Sequence, residues 1–84
     1  MIKTRCTQGG LILDERSIRI EGPRVNQILL RHTITNFQTR QQVPSIFGFG
    51  GGVELIVQER GGNTLHANMV NPKQAKAIVA ALHG

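Results

Sequence analysis

The chain has 84 residues, of which 39% are hydrophobic and 18% charged, and its formal net charge is +5 at pH 7. A chain this short buries only about 60 to 65% of its unfolded surface, so we expect residues 1–84 to form a single domain with one core. The ten Lys and Arg residues are scattered and the chain has no Trp or Tyr for base stacking, so nucleic acid is not an expected partner.

Residues 2–21 are predicted to form three short antiparallel strands, because apolar runs alternate there with turn residues. Turns are predicted at Gly9-Gly10, at Asp14-Glu15-Arg16 and, after the third strand, at Gly22-Pro23. Gly22-Pro23 ends the third strand, since proline lacks the N–H group that donates hydrogen bonds to a neighbouring strand.

Residues 26–42 form the longest extended segment, which is too long to lie flat in so small a domain. Strict alternation predicts that three apolar side chains face the core, namely Ile28, Leu30 and Ile34. The same alternation turns Leu29 and Arg31 outward. The segment has no proline and only two charged residues, so its edge is open to pairing with another chain.

A β-bulge is predicted within the same segment. Ile34 and Phe37 are three residues apart, whereas side chains on one face of a strand are two apart. A bulge or bend near Thr35-Asn36 would return both side chains to the core.

The segment from Pro44 to Gly52 contains a proline bend, a Phe-Gly-Phe sequence and three consecutive glycines. Loops that bind phosphate are usually followed by a helix, whose dipole and N–H groups meet the anion. A strand pattern follows here instead. We therefore interpret the glycines as a structural turn and expect no nucleotide cofactor.

A β-hairpin is predicted over residues 53–70. Three apolar side chains of its first strand alternate inward, namely Val53, Leu55 and Val57. Ile56 consequently faces outward. Gly61-Gly62-Asn63 supplies the turn, because glycine and asparagine tolerate positive φ.

A single helix is predicted over residues 72–83. Asn71 is a suitable N-cap, Pro72 suits the first helical position and Gly84 lies where a carboxy-terminal cap is expected. The apolar stripe of this helix consists of Ala75, Ile78, Val79 and Leu82. Strands followed by one amphipathic helix indicate an α+β fold, most simply a strongly bent antiparallel sheet or partly open barrel closed by the helix.

The sequence gives no indication of catalysis, metal binding or a cofactor. Its histidines, His32, His66 and His83, have no partners nearby in the sequence, and a zinc site would need three or four ligands. The single cysteine, Cys6, cannot form an internal disulfide, which fits a reducing cytoplasm. We interpret Cys6 as a small packed residue.

The chain contains no apolar run of the roughly 18 to 20 residues that span a membrane. The amino terminus also lacks the layout of a signal peptide. We therefore expect a cytoplasmic protein. A position at the cytoplasmic face of a membrane would require another segment or chain.

Four ordered features resemble the bacterial pleckstrin-homology-like (PH-like) domains. They are Ile34-x-x-Phe37-x-x-Arg40-Gln41, Ile46-Phe47-Gly48-Phe49-Gly50, Val53-Glu54-Leu55 and Asn71-Pro72. The resemblance implies about seven antiparallel strands in a bent, partly open barrel with a carboxy-terminal helix. It also implies a module whose ligand is unknown. Several members of the family form homo-oligomers. Phosphoinositide-binding members carry several bases in the first inter-strand loop, where this chain has Gln8-Gly9-Gly10.

The sequence thus predicts a non-catalytic interaction module that acts through homo-oligomerisation or through contact with a protein partner. The candidate self-association residues are Leu29, Arg31 and Ile56. The alternative hypothesis is an anion-binding module for phosphorylated lipid headgroups or nucleic acid. Its candidate residues are the amino-terminal bases Lys3, Arg5, Arg16 and Arg19.

Overall fold

The computed structural model describes residues 1–43 and 51–84 of the chain. The elements in chain order are β1 (Ile2–Cys6), β2 (Gly9–Leu13), β3 (Ser17–Glu21), β4 (Asn26–Leu30), a 3-10 turn (Arg31–Thr33), β5 (Ile34–Val43), β6 (Gly52–Glu59), β7 (Thr64–Val70) and α1 (Pro72–His83). The bend predicted at Pro44 and the Phe-Gly-Phe part of the predicted glycine-rich turn lie outside the described residues.

The strands form two antiparallel sheets. The first sheet has the order β1-β2-β3-β4, and the second has the order β5-β6-β7. The two sheets meet where the Thr7 N–H donates to the Asn68 carbonyl oxygen at 2.8 Å. The predicted α+β class, with a carboxy-terminal helix after the strands, is confirmed.

One apolar core contains residues of both sheets and of the helix. Its buried members are Leu11, Leu13, Ile18, Ile20, Leu29, Leu55, Val57, Leu65, Ala67, Val70, Ala75 and Ile78. Among the described residues, the buried members of this core are all aliphatic, and Phe37 packs partly buried against them.

The helix begins and ends where the sequence predicts. The Asn71 side chain accepts hydrogen bonds from the N–H groups of the second and third helical residues, at 2.9 and 3.3 Å, and Pro72 occupies the first position. These bonds satisfy two of the N–H groups that a helix start leaves without partners. Ala75 and Ile78 are buried, so the predicted stripe does pack on the core.

The predicted bulge is also present. The pairing of β5 with β6 shifts register between Ile34 and Asn36, and both Ile34 and Phe37 pack against the core. The 3-10 turn just before β5 was not predicted. It separates β4 from β5, which consequently belong to different sheets.

The orientation predicted for β4 is wrong. Leu29 is a core residue with 2% of its surface exposed, whereas Ile28 is 58% exposed and Leu30 is 45% exposed. Leu29 lies opposite Ile18, which is itself fully buried. Three consecutive apolar residues satisfy an alternating pattern in either phase, and the neighbouring strand decides which phase is adopted.

Candidate functional site

Exposed apolar side chains cluster along β4. The described residues contain five large apolar side chains that are exposed, and three of these lie between residues 25 and 30. We call Ile28 and Leu30, which share one face of β4, the β4 patch; Val25 precedes the strand and by alternation lies on the side of Leu29. Exposed apolar surface that gathers in one place is characteristic of interaction sites, whereas single exposed apolar residues are ordinary.

The main chain of β4 is open on one side in the part of the chain that the structure describes, because β4 is the last strand of its sheet. The Arg31 N–H donates to the Arg16 carbonyl oxygen at 2.8 Å, and the Gly22 N–H donates to that of Val25 at 2.9 Å. These two bonds mark both ends of the β3–β4 ladder, whose register is continuous between them. The β4 patch therefore lies on a strand whose outer edge pairs with no other strand of residues 1–43 and 51–84.

The sequence predicted three self-association residues, and the structure does not bring them together. Leu29 lies in the core, which excludes it from any surface. Arg31 is half-buried, and its guanidinium donates to the carbonyl oxygens of Asp14 at 3.0 Å and Ala81 at 2.9 Å. Ile56 is half-buried and lies on the second sheet, while Leu29 and Arg31 belong to the region of β4.

The predicted anion-binding residue Arg19 is engaged within the chain. Its guanidinium contacts the carboxylates of Asp14 at 2.7 Å and Glu21 at 2.8 Å. The hydrogen bond with Glu21, followed by that with Asp14, raises the pKa of Arg19 above its ordinary value. Arg19 is therefore paired with two acids, and the prediction that it serves an external anion is not supported by its contacts.

Three of the predicted anion-binding residues have exposed side chains. Lys3 and Arg5 lie on β1, and Arg16 lies in the turn between β2 and β3. Lys3 pairs in register with Ile12, and Ile12 with Arg19, so Lys3 shares the outer face of the first sheet. An open depression of about 460 Å³ lies at the end of β4, where its lining includes Arg16 and Leu30.

The turn beside this depression is held by Asp14. Its Oδ1 accepts hydrogen bonds from the N–H groups of Arg16 and Ser17, both at 2.8 Å. These bonds, the one from Arg16 first, lower the pKa of Asp14 from 3.8 to about 2. Asp14 therefore stays ionised at neutral pH and has a structural role in the turn.

The sequence analysis missed a cluster of three side chains on the outer face of the second sheet. Glu54 is only 6% exposed, and its carboxylate contacts Arg40 Nη2 at 2.8 Å and His66 Nδ1 at 3.1 Å. The hydrogen bond from His66, with a further contribution from Arg40, lowers the pKa of Glu54 below 4.5. Arg40 and Glu54 are direct cross-strand partners, so the hairpin register would have revealed that pair.

The chemistry available to this cluster is limited. Glu54 and His66 could act as a carboxylate–histidine pair, but the contacts found for them include no Ser, Thr or Cys side chain to activate. No group of three or more His, Cys, Asp or Glu side chains that could hold a metal ion occurs in residues 1–43 and 51–84. The contacts of Glu54 join β5, β6 and β7.

Among the described residues, α1 is too short and too polar to cross a membrane, and no other helix qualifies. Comparison with protein-family models, with curated proteins and with solved structures found no match to this chain.

Proposed function

We propose that this chain is a PH-like, non-catalytic interaction module that associates with further copies of itself through the β4 patch. The observation that carries the proposal is the exposure of Ile28 and Leu30 on one face of a strand whose outer edge is unpaired within the described part of the chain. The order of seven antiparallel strands before one helix supports the PH-like part. The same proposal has two further parts. The protein is bacterial and cytoplasmic, and its two sheets are the halves of a partly open barrel.

Self-association explains two features of β4, namely its exposed apolar side chains and its open outer edge. Apolar area removed from water contributes about 25 cal/mol per Å², so covering Ile28 and Leu30 favours assembly. In a two-fold symmetric contact the same surface meets its own copy, so it must not bring like charges together. The patch meets this requirement because residues 25–30 carry no charged side chain.

The experiment is a light-scattering mass measured at two protein concentrations, one low and one high micromolar. The wild type should show a mass above the monomer that rises with concentration, and Ile28→Glu should lower it. Thr35→Glu is the matched control, because Thr35 is also an exposed strand residue but lies on the second sheet. Circular dichroism should be unchanged in both variants. A wild type that stays monomeric at high micromolar concentration would contradict the proposal.

The other candidate from the sequence, Ile56, is tested in the same way. If Ile56→Glu lowers the mass and Ile28→Glu does not, the association runs through the second sheet and not through the β4 patch. If another protein were the natural partner, the mass of the purified chain would stay that of a monomer.

The alternative function, anion binding, now rests on Lys3, Arg5 and Arg16, whose side chains are exposed. It predicts that the chain binds vesicles of anionic phospholipid and that binding falls steeply with salt, because counterions compete for the bases. Apolar self-association should hold or strengthen in the same salt series. Replacing Lys3 and Arg5 with Ala should remove vesicle binding if this alternative is correct.

A further inference from the structure

We infer that a second copy adds its β4 strand antiparallel to β4, so that two four-stranded sheets become one continuous sheet across a two-fold axis. This inference rests on the proposed self-association and specifies its geometry. A contact between the β4 patches alone would bury side chains only. Strand addition would also satisfy the open main chain of both copies.

The direction of the main-chain groups follows from the hydrogen bonds at the two ends of β4. In an antiparallel ladder, hydrogen-bonded pairs recur at every second residue. The bonded pairs at Arg16 with Arg31 and at Gly22 with Val25 therefore imply that Gln27 and Leu29 are bonded to β3. The N–H and C=O groups of the alternate residues, Asn26, Ile28 and Leu30, consequently point away from β3.

The other free edges are less suited to strand addition. The outermost strand β5 has a bulge after Ile34 and carries polar exposed residues, including Arg40, which are features that discourage pairing. The chain after β1 is already joined to β7 through Thr7 and Asn68, and β1 carries Lys3 and Arg5. The described part of β4 has none of these protections, since it has no bulge, proline or charge.

Pairing with a second copy brings no two charged side chains together within β4 itself, while Arg24, just before the strand, would lie near Arg31 of the other copy, which donates to two carbonyl oxygens of its own chain. Pairing centred on Ile28 places this residue opposite its own copy and places Leu30 opposite Asn26. The nearest bases in the same row are Arg19 and its copy, which would be three strand spacings, roughly 14 Å, apart. This exceeds the screening length of about 8 Å at physiological ionic strength, and each Arg19 is already paired with two acids.

The carbonyl oxygen of Leu30 also accepts a hydrogen bond from Thr33 Oγ1 at 2.7 Å. Leu30 is also the N-cap of the 3-10 turn, so its carbonyl oxygen accepts the first N–H of that turn as well, and both of its lone pairs are used. The new main-chain bonds would therefore come from the N–H and C=O groups of Ile28 and from the Leu30 N–H. A five-residue strand supplies few new bonds and covers little area compared with the roughly 800 Å² per partner of a standard interface. We therefore expect an association that depends on concentration.

The first test is amide hydrogen exchange of the full chain, followed by NMR at low and high concentration. In the monomer, the Ile28 amide should exchange quickly and those of Gln27 and Leu29 slowly. With about nine-tenths of the chain associated, protection of Ile28 should rise about tenfold. If the mass rises but the Ile28 amide keeps its monomer rate, the copies pack face to face and the strand-addition inference is wrong, while self-association stands. If the mass never rises, both fail.

The second test compares Ile28→Pro with Ile28→Ala. Both lose the exposed Ile28 side chain, but only the proline lacks the N–H that points to the open edge. Proline is tolerated on an edge strand where its N–H side faces solvent, so the fold should persist. Two-fold symmetry removes two bonds, so the dissociation constant of Ile28→Pro should exceed that of Ile28→Ala by about tenfold or more. Equal association of the two variants would overturn the inference.

Discussion

The guanidinium of Arg31 donates a hydrogen bond to the carbonyl oxygen of Ala81, 2.9 Å away. Ala81 lies in the last turn of α1, where carbonyl groups lack helical partners and a cation interacts favourably with the helix dipole. Another nitrogen of the same side chain donates to the carbonyl oxygen of Asp14 at 3.0 Å. Arg31 therefore joins the end of the helix to the turn between β2 and β3.

Replacing Arg31 should destabilise the fold. Arg31→Ala removes two charge-assisted bonds to carbonyl groups and should lower the free energy of unfolding by about 1.5 to 3 kcal/mol. Arg31→Lys should recover only part of this loss, because one ammonium group cannot reproduce the guanidinium geometry. Urea unfolding measures both variants against Arg24→Ala, which removes an exposed base. A loss no larger than that of Arg24→Ala would show that the bridge contributes nothing.

The helix should be required for a cooperative fold. Ile78 is fully buried, so Ile78→Ala should cost about 2 to 4 kcal/mol through lost burial and the cavity left behind. Leu82→Ala should cost less, because Leu82 is only half-buried. Thermal unfolding checks these values, with the exposed helix residue Lys76 changed to Ala as the control. A cooperative transition near the original temperature after deletion of residues 72–84 would disprove the requirement.

Glu54 should make stability depend on pH in the acid range. Its pKa is lower in the folded chain than the ordinary value of 4.5, first because His66 donates to it and then because Arg40 is close. The stabilisation is therefore fully present above pH 4.5 and is lost as the pH falls through the lowered pKa.

The measurement is chemical unfolding of the wild type and Glu54→Gln across this range. The stability difference between them should shrink on acidification. Glu15→Gln, a change of one exposed acid, controls for net charge. A difference that stays constant from neutral pH down to the region below 4.5 would rule out this linkage.

Gly52 should not tolerate a side chain. A Cβ atom there would lie 2.8 Å from Sδ and Cε of Met69 and 3.1 Å from its Cα, and the Cα cannot rotate away. Gly52→Ala should therefore cost about 1 to 3 kcal/mol through overpacking. The comparison is Gly61→Ala, where the new atom would approach only the flexible side chain of Glu59. Similar melting temperatures for the two variants would refute this assignment.

Local chemistry in the sequence predicted several elements correctly. Asn71 and Pro72 specify the helix start within a few residues, and the glycines before Asn63 specify the hairpin turn, where Gly62 adopts φ +92°. The three-residue spacing of Ile34 and Phe37 predicted the bulge. These features need no distant partner, since capping, positive φ and strand periodicity all act over a few residues.

The cluster of Arg40, Glu54 and His66 could not be predicted in the same way. Its members come from three strands, and the register shift after Val53 in the pairing of β6 with β7 decides which residues of β7 lie near Glu54. His66, which is 12 residues from Glu54 in the sequence, therefore lowers the pKa of Glu54.

The sequence by itself determined that residues 28–30 are apolar and extended, but only the tertiary structure decided which of them reach the surface. An alternating pattern fixes the period of a strand and leaves its phase open when neighbouring side chains are all apolar. Pairing of Leu29 with the buried Ile18 settles the phase, and the 3-10 turn at Arg31–Thr33 ends the strand. Ile28 and Leu30 are exposed because burying Leu29 requires the residues on either side of it to face outward.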